Sequence, residues 1–266
     1  MTAHLAARGP RGGVVLGAVR DTLAIAGRNL IAFRRVPQLM VFTFIQPVIF
    51  VLLFRYVFGG AIRGAGTSYV NYLMPGIFVQ VVVFGAMATA VGLASDMRSG
   101  LLERFRALPM ARSAVLAGRT LADLTRNMFV VVLIGVVGFL VGFRVHGTAW
   151  RFLGGMGLVL LFAYTMSWVL ATLGMAVGDP ESAQAAAFPV IAPLVFASSI
   201  FIPVHTMPGW LRPFAEHQPV SVTASAVRGL MEGGPTASYV WQSVAWCLAI
   251  LAVCAPLAVW RYRRTV

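Results

Sequence analysis

The sequence predicts an all-α integral membrane protein, and three observations lead to this class. Hydrophobic residues make up 59% of the 266-residue chain, and charged residues make up only 11%. Six segments are each apolar over about the 17–25 residues that a helix needs to cross the hydrocarbon of a bilayer. Within these segments the apolar residues do not alternate with polar ones as they do in soluble proteins. We therefore expect transmembrane helices whose side chains are largely buried in lipid.

Charge and cysteine usage exclude several other classes. A net charge of +13 is compatible with nucleic-acid binding, but the arginines flank apolar segments, where the positive-inside rule expects them. We therefore expect no nucleic-acid partner. Cys247 and Cys254 lie in one apolar segment, which suits neither a disulfide between elements nor a metal site. The four histidines are scattered and no hydrolase or zinc-protease motif occurs, so we predict neither a catalytic nor a metal site.

The first segment, residues 1–37, predicts an amphipathic helix that lies on the cytoplasmic face of the membrane. Its apolar residues recur at three- and four-residue steps, with arginines on the opposite side of the helix. These apolar residues are Leu16, Val19, Leu23, Ala26, Leu30 and Phe33. Pro37 then allows the chain to turn into the first span. A simple surface anchor and a docking element are both compatible with this pattern.

The transmembrane domain extends over residues 38–259. Its six predicted spans are residues 38–58, 72–94, 127–143, 152–176, 184–202 and 239–259. Six arginines precede the first span, six lie in the 95–126 loop and three follow the last span, against one, two and two in the alternate loops. Because arginine-rich loops stay in the cytoplasm, we expect both termini, including the 260–266 tail, on the cytoplasmic side of the cell membrane.

The 95–126 loop contains the stretch "MRSGLLERFRALPMARSAVLAGR" from Met97 to Arg119, which predicts a short amphipathic helix ended by Pro109. One face of this helix is apolar and the other is charged. The apolar members are Leu101, Leu102, Phe105 and Leu108, and the charged members are Glu103, Arg104 and Arg106. Such a helix presents charge to a cytosolic partner. The alternative is a solvated loop whose arginines only fix the topology.

The segment 203–238, before the last span, predicts short helices that dip into or lie on the outer leaflet. It is too apolar for a solvated connection, and Pro203, Pro208, Pro213 and Pro219 forbid one continuous spanning helix. Aromatic and apolar side chains between prolines prefer the membrane interface. We therefore expect a lid over an exit path, formed by Met207, Trp210, Leu211 and Phe214. An ordered surface loop is the alternative.

The spans offer few polar groups and, as delimited above, no Asp or Glu. This disfavours an ion-coupled carrier. A path made of apolar and hydroxyl surface suits an amphipathic or lipid-like substrate. The candidate path residues are Gln46, Gln80, Tyr164, Ser198 and Ser199, which could equally form hydrogen bonds between helices. Because the chain has no lysine, it cannot form a phosphate-binding G-x-x-x-x-G-K-[ST] loop, so any energy comes from another polypeptide.

Two stretches resemble the ABC-2 type permeases, especially the daunorubicin-resistance-like drug and lipid exporters of actinobacteria. They are the Met97–Arg119 stretch and "PVHTMPGWLRPFAEHQPVSVTASAVRGL" before the last span. Where family members often have Asn-Gln-Pro, this chain has His217-Gln218-Pro219.

The resemblance implies a six-span permease that dimerises with a second copy or a paralogue. It also implies two ATP-binding subunits, which carry the ATP and Mg²⁺, and no cofactor in this chain. An N-terminal connecting helix, a coupling helix at Leu101–Leu108 and re-entrant helices between spans five and six are further expectations. The implied function is outward movement of amphipathic drugs or complex lipids across an actinobacterial cell membrane. A polysaccharide or glycolipid export permease and a non-transporting membrane scaffold are the alternatives.

Overall fold

The computed structural model describes residues 20, 22–31, 37–58, 69–100, 112–234 and 236–265, and this part of the chain contains helices and no strand. The all-α prediction is therefore confirmed. Helix α1 comprises residues 22–31. It is followed by α2 (Pro37–Leu53), which continues into a π-helical turn (Phe54–Phe58), α3 (Tyr69–Gly85), α4 (Met87–Arg98), α5 (Arg112–Leu140), α6 (Ala149–Val177), α7 (Pro180–Phe196), α8 (Arg212–His217), α9 (Pro219–Glu232) and α10 (Ala237–Thr265).

Four helical segments among the described residues are long and apolar enough to cross a membrane. They are Tyr69–Arg98, Leu116–Leu140, Ala149–Val177 and Ala237–Tyr262, and they match the second, third, fourth and sixth predicted spans. The first and fifth predicted spans are also helical but shorter. Phe44–Val57 is a shorter apolar helix, and α7 has 17 residues and ends at Phe196 instead of continuing to residue 202.

The predicted 95–126 loop is shorter in the structure, because α4 continues to Arg98 and α5 begins at Arg112. Asp96 and Asp123 therefore lie inside helices that are long and apolar enough to cross a membrane, although outside the predicted spans 72–94 and 127–143. A span predicted from a run of apolar residues ends at the first charged residue. These charges are paired with arginines on the same or a neighbouring helix, which allows the helices to continue through them.

Contacts between the helix ends divide the molecule into two faces. At one face, here called the Asp179 face, Arg98 Nη1 lies 3.0 Å from Asp179 Oδ1. At the other, here called the Met231 face, the N–H groups of His146 and Gly147 donate to the Met231 carbonyl. The ends of successive long helices among the described residues alternate between these two faces.

The core centres on α3, in which nearly every residue from Tyr69 to Val83 is buried. Two glycines allow backbones to approach closely. A Cβ on Gly76 would lie 2.6 Å from the Ile200 carbonyl oxygen, and a Cβ on Gly174 would lie 2.7 Å from Ala90 Cα. Small residues therefore bring α3 against the chain that follows α7, and α6 against α4.

Helix α1 packs on the Asp179 face with Ile25 and Ala26, which are buried. Ile25 belongs to a cluster contributed by α4, α5, α6 and α10. Leu23, which the sequence placed on one apolar face with Ala26, is 58% exposed and points away from this cluster. The helix therefore has one apolar surface against the protein and another that faces outward.

Candidate functional site

A cleft of about 150 Å³ opens between α2, α3 and α5. Apolar walls with a few convergent polar groups are typical of small-molecule sites. The lining residues are Gln46, Pro47 and Phe50 of α2, Gln80, Val81, Phe84 and Gly85 of α3, Ala88 of α4, and Arg126, Asn127 and Val130 of α5. Gln46 and Gln80, two of the predicted path residues, thus lie at one site.

The cleft lies beside a tightened turn between α3 and α4, here called the break, at Ala86, whose dihedral angles stay helical (φ −65°, ψ −21°). There the Thr89 N–H donates to the Ala86 carbonyl at 2.9 Å, and Arg126 Nη2 donates to the Gly85 carbonyl at 2.8 Å. A Cβ on Gly85 would lie 2.5 Å from Asn127 Oδ1. Because glycine has no side chain, Gly85 allows the polar face of α5 to reach the backbone at the break.

Asp123 is buried in the middle of the polar face of α5, with only 4% of its surface exposed. Its Oδ1 lies 3.0 Å from Arg126 Nη1, and its Oδ2 accepts a 2.6 Å hydrogen bond from the Thr89 hydroxyl and lies 3.9 Å from Arg119 Nε. Arg119, Asp123 and Arg126 follow a spacing of four and three residues, which places them on one face of the helix. A carboxylate is stable at this depth because it is paired and hydrogen-bonded.

A second carboxylate extends this arrangement towards the Asp179 face. Arg119 Nη1 donates to Asp96 Oδ2 at 2.8 Å, and Arg28 Nη2 of α1 lies 3.8 Å from the same oxygen. We call Arg28, Asp96, Arg119, Asp123 and Arg126 the charge ladder. It connects α1, α4 and α5 with the cleft. Sequence reasoning missed it because the arginines were counted only as topology signals, although the Arg119, Asp123, Arg126 spacing was visible.

The other three predicted path residues lie elsewhere. Tyr164 packs edge-on against Trp168, with ring centroids 6.2 Å apart. Ser198 and Ser199 lie directly after α7, where Ser198 Oγ donates to the Val195 carbonyl and the Ser199 N–H donates to Ser221 Oγ of α9 at 3.0 Å. The structure therefore does not bring these three residues to the cleft, and their place on a substrate path stays a prediction.

Two side chains satisfy the backbone where α7 ends. Gln218 Nε2 donates to the Leu194 carbonyl at 2.8 Å, while its Oε1 accepts from the Val220 N–H at 3.2 Å and caps α9. Arg228 Nη2 donates to the Ser199 carbonyl at 2.9 Å. Its guanidinium also lies 3.8 Å from the centre of the Tyr72 ring, which is the range of a cation–π contact. These bonds hold α9 against α3 and α7.

Two acidic groups outside the spans have perturbed pKa values. Burial raises the pKa of the Glu232 carboxyl at the end of α9, although Arg228 and His146 oppose the shift. The Ser182 N–H, which donates to Asp179 at the start of α7, lowers the pKa of that exposed carboxyl. Among the described residues, no group of three His, Cys, Asp or Glu side chains is placed to hold a metal ion.

The four predicted lid residues have different environments. Trp210 is 81% exposed and Phe214 is also exposed, whereas Met207 is buried and Leu211 is half-buried. Arg212 Nε donates to the Met207 carbonyl at 2.7 Å and orders the turn before α8. Trp150 and Trp241, which lie near the starts of α6 and α10 at the Met231 face, are exposed as well. Exposed tryptophans are typical of a membrane interface.

The predicted coupling residues Leu101, Leu102, Glu103, Arg104, Phe105, Arg106 and Leu108 lie outside the described residues. The flanking elements are described. Helix α4 ends at Arg98, close to Asp179, and Gly100 then has a φ of 66°. Glycine adopts this left-handed conformation without steric cost, which suits the end of a helix.

Residues 20–231 match the model of the ABC-2 type transporter family. The chain is 35% identical over 248 residues to the daunorubicin resistance ABC transporter permease protein DrrB1 of Streptomyces coeruleorubidus, covering 92% of this chain and 87% of the relative. It is 27% identical over 248 residues to the probable doxorubicin resistance ABC transporter permease protein DrrC of Mycobacterium tuberculosis, covering 92% and 89%. A putative transport permease, ycf38, of Pyropia yezoensis is 24% identical over 235 residues, covering 86% and 76%.

Proposed function

The chain belongs to the ABC-2 type transporter family, and from this premise we propose that it is the membrane-spanning permease subunit of an ATP-driven exporter of amphipathic drug-like molecules. The observation that carries the substrate class is the cleft, in which Phe50, Phe84 and Val130 supply apolar wall and Gln46, Gln80 and Asn127 supply polar groups. Such a mixture suits an amphipathic molecule better than a hydrated polysaccharide. The names of the relatives, which mention daunorubicin and doxorubicin resistance, agree with this class.

The permease has six spans in this proposal, with α2 and α7 as the first and fifth. Helix α2 and its π-helical turn run without interruption from Pro37 to Phe58, which is long enough to cross a bilayer. Helix α9 starts beside the end of α7, where Gln218 bonds the Leu194 carbonyl, and ends at the Met231 face. A helix that begins at depth and returns to one face supports a re-entrant segment between spans five and six.

The Asp179 face is the cytoplasmic face in this topology, because the arginine-rich segments adjoin it. Labelling with a membrane-impermeant maleimide tests this orientation in a chain whose Cys247 and Cys254 are replaced by alanine. We expect Trp210→Cys to react from outside intact cells, and Asp179→Cys to react only after the membrane is opened. The reverse pattern would overturn the topology and with it the outer lid.

ATP hydrolysis belongs to two copies of a separate ATP-binding subunit, which dock on residues 101–108 of a permease dimer. The charge ladder supports this role, because it connects α1 and the end of α4, next to this segment, with the cleft. We expect Glu103→Arg to leave abundance in the membrane unchanged but to weaken assembly with the ATPase, since the reversal places like charges together at a partly desolvated contact. The matched control is Glu181→Arg, the same reversal at an exposed position of α7.

Reconstitution tests the function as a whole. We expect the purified chain alone to hydrolyse no ATP, and its complex with the ATP-binding subunit to show ATP hydrolysis that daunorubicin stimulates. Vesicles containing the complex should move daunorubicin in one direction when ATP is present on the side of the ATPase. A complex that hydrolyses ATP without stimulation or transport by any amphipathic drug would refute the proposed substrate class.

A further inference from the structure

We propose that the cleft between α2, α3 and α5 binds the hydroxy-carbonyl end of a flat aromatic amphiphile, with Gln80 accepting a hydrogen bond from the ligand hydroxyl and Asn127 donating one to the ligand carbonyl. This inference rests on the proposed function, and it deepens that function by naming the residues and the part of the substrate they recognise.

The two amide side chains are the first support. Gln80 is 3% exposed and Asn127 is 1% exposed, and both line the cleft. Gln80 Oε1 and Asn127 Nδ2 are buried and have no hydrogen-bond partner among the described residues. Leaving such atoms unpaired costs folding free energy, so a buried unpaired group calls for a specific explanation. Both atoms lack accessible surface, so a ligand reaches them only when the two amide groups turn into the cleft that their side chains line. One acceptor and one donor then match a ligand that carries one hydroxyl and one carbonyl group.

The size and walls of the cleft define the rest of the ligand. A volume of about 150 Å³ resembles that of an engineered protein cavity that holds one benzene molecule. Only one ring of a larger amphiphile therefore enters. Phe50 and Phe84 line the cleft and offer aromatic surface to a flat ring. Gln46, which is exposed, lies at the mouth, where the remainder of the ligand leaves the cleft.

The positive charge of Arg126 excludes a cationic group from the inner end of the cleft. Among the described lining residues, Arg126 carries the charge and no carboxylate reaches the cleft. The oxygens of Asp123, the nearest carboxylate partner of Arg126, are already occupied by Arg126 and Thr89. An ammonium group inside would therefore lie beside the Arg126 guanidinium, and the lining of the cleft offers it no carboxylate of its own. The end that enters is uncharged, and a charged substituent stays outside the mouth.

The direct test measures binding of fluorescent daunorubicin to the purified full-length chain by anisotropy. Gln80→Met and Asn127→Leu each replace an amide by an apolar side chain of similar volume, and Gln184→Met makes the same change at an exposed position of α7. We expect about tenfold weaker binding for each cleft variant and wild-type binding for the control. Thermal unfolding should show cleft variants at least as stable as wild type, since they remove unpaired buried polar atoms. Wild-type affinity in both variants would overturn the proposal.

A second measurement does not depend on the fold of these variants. Gln46→Cys, in the chain with Cys247 and Cys254 replaced by alanine, places a thiol at the exposed mouth. We expect saturating daunorubicin to slow maleimide labelling at this position at least fivefold, and not to slow labelling of Gln184→Cys. N-acetylated daunorubicin, which lacks the ammonium charge, should protect equally well. Absence of protection overturns the proposal even if the cleft variants fail to fold.

The reconstituted complex separates the two proposals. If daunorubicin stimulates ATP hydrolysis by the wild-type complex but the cleft variants bind and respond normally, only the assignment of the cleft fails. If the wild-type complex does not respond to daunorubicin or its N-acetylated form and the chain binds neither, the proposed function and the cleft assignment fail together.

Discussion

Replacement of Asp123 by alanine is expected to destabilise the chain by about 3–5 kcal/mol, the usual cost of removing one partner of a buried ion pair. The structure supports a value in this range. Asp123 is 4% exposed, and it pairs with Arg126 at 3.0 Å and accepts a 2.6 Å hydrogen bond from Thr89. Its loss removes the carboxylate that lies 3.0 Å from the Arg126 guanidinium, and only 10% of the Arg126 side chain is exposed to solvent.

Chemical unfolding of the purified chain in mixed micelles measures this loss. The matched control is Asp179→Ala, which removes a carboxylate that also pairs with an arginine at 3.0 Å but lies at the surface. Exposed pairs contribute little, because water screens them and their side chains lose entropy. Asp179→Ala also removes the carboxylate that accepts from the Ser182 N–H and caps α7, and the loss of this cap has a cost of its own. We therefore expect a smaller effect at Asp179 than at Asp123, although both substitutions remove the same group.

A double variant separates the charge from the packing. Asp123→Leu combined with Arg126→Met removes both charges and keeps apolar volume, so it should recover part of the loss. If Asp123→Ala shifted stability by less than about 1 kcal/mol, no more than Asp179→Ala, the carboxylate would not be a buried partner of Arg126. The account of the charge ladder would then be wrong.

Three further predictions address other parts of the structure. Gly174→Ala should lower the free energy of unfolding by about 1–3 kcal/mol, because the new Cβ would lie 2.7 Å from the α4 backbone and overpack it. Gly157→Ala, at a position with open space around it, should not lower it. Unfolding curves of the two variants test this difference. Because burial raises the pKa of Glu232 from its ordinary value of 4.5, the folded state binds the proton more tightly and stability should fall as the pH rises from 4.5 through the raised value. Glu232→Gln should flatten this part of the curve of unfolding midpoint against pH. Gln218→Ala should cost about 1–3 kcal/mol by leaving a carbonyl of α7 and the cap of α9 unpaired, while His217→Ala, at the exposed neighbouring position, should leave the unfolding midpoint unchanged.

The spans that the sequence predicted correctly are those whose signal is local. A helix of about 20 apolar residues satisfies its own backbone hydrogen bonds in lipid, so composition alone indicates it. Tyr69–Arg98, Leu116–Leu140, Ala149–Val177 and Ala237–Tyr262 are of this kind. The ends of α4 and α5 were misplaced because Asp96 and Asp123 are tolerated only through arginine partners. Those partners come partly from other helices, and the apolar character of one segment carries no information about them.

Only the part of the candidate site that has a local signal was predicted from the sequence. Gln46 and Gln80 are rare polar residues in apolar segments, so the sequence singled them out. Asn127 and Arg126 stand at the start of a predicted span and looked like the polar border of a loop. Their position at the cleft depends on the break at Ala86 and on the close approach at Gly85. Both are properties of two helices in contact, which spacing along one helix cannot indicate.

Irregular backbone inside a membrane protein persists only where other polar groups satisfy it. Two breaks among the described residues, one at Ala86 and one where α7 ends, follow that rule with the same type of residue. At the first break, Arg126 bonds the Gly85 carbonyl with one arm and Asp123 with the other. At the second, Arg228 bonds the carbonyls of Tyr72 and Ser199 through two nitrogens. A lysine at either position would keep the positive charge but not the planar fork that reaches two acceptors at once. Arg126 and Arg228 therefore shape the breaks, even though a count of loop arginines treats them like those that only fix the topology.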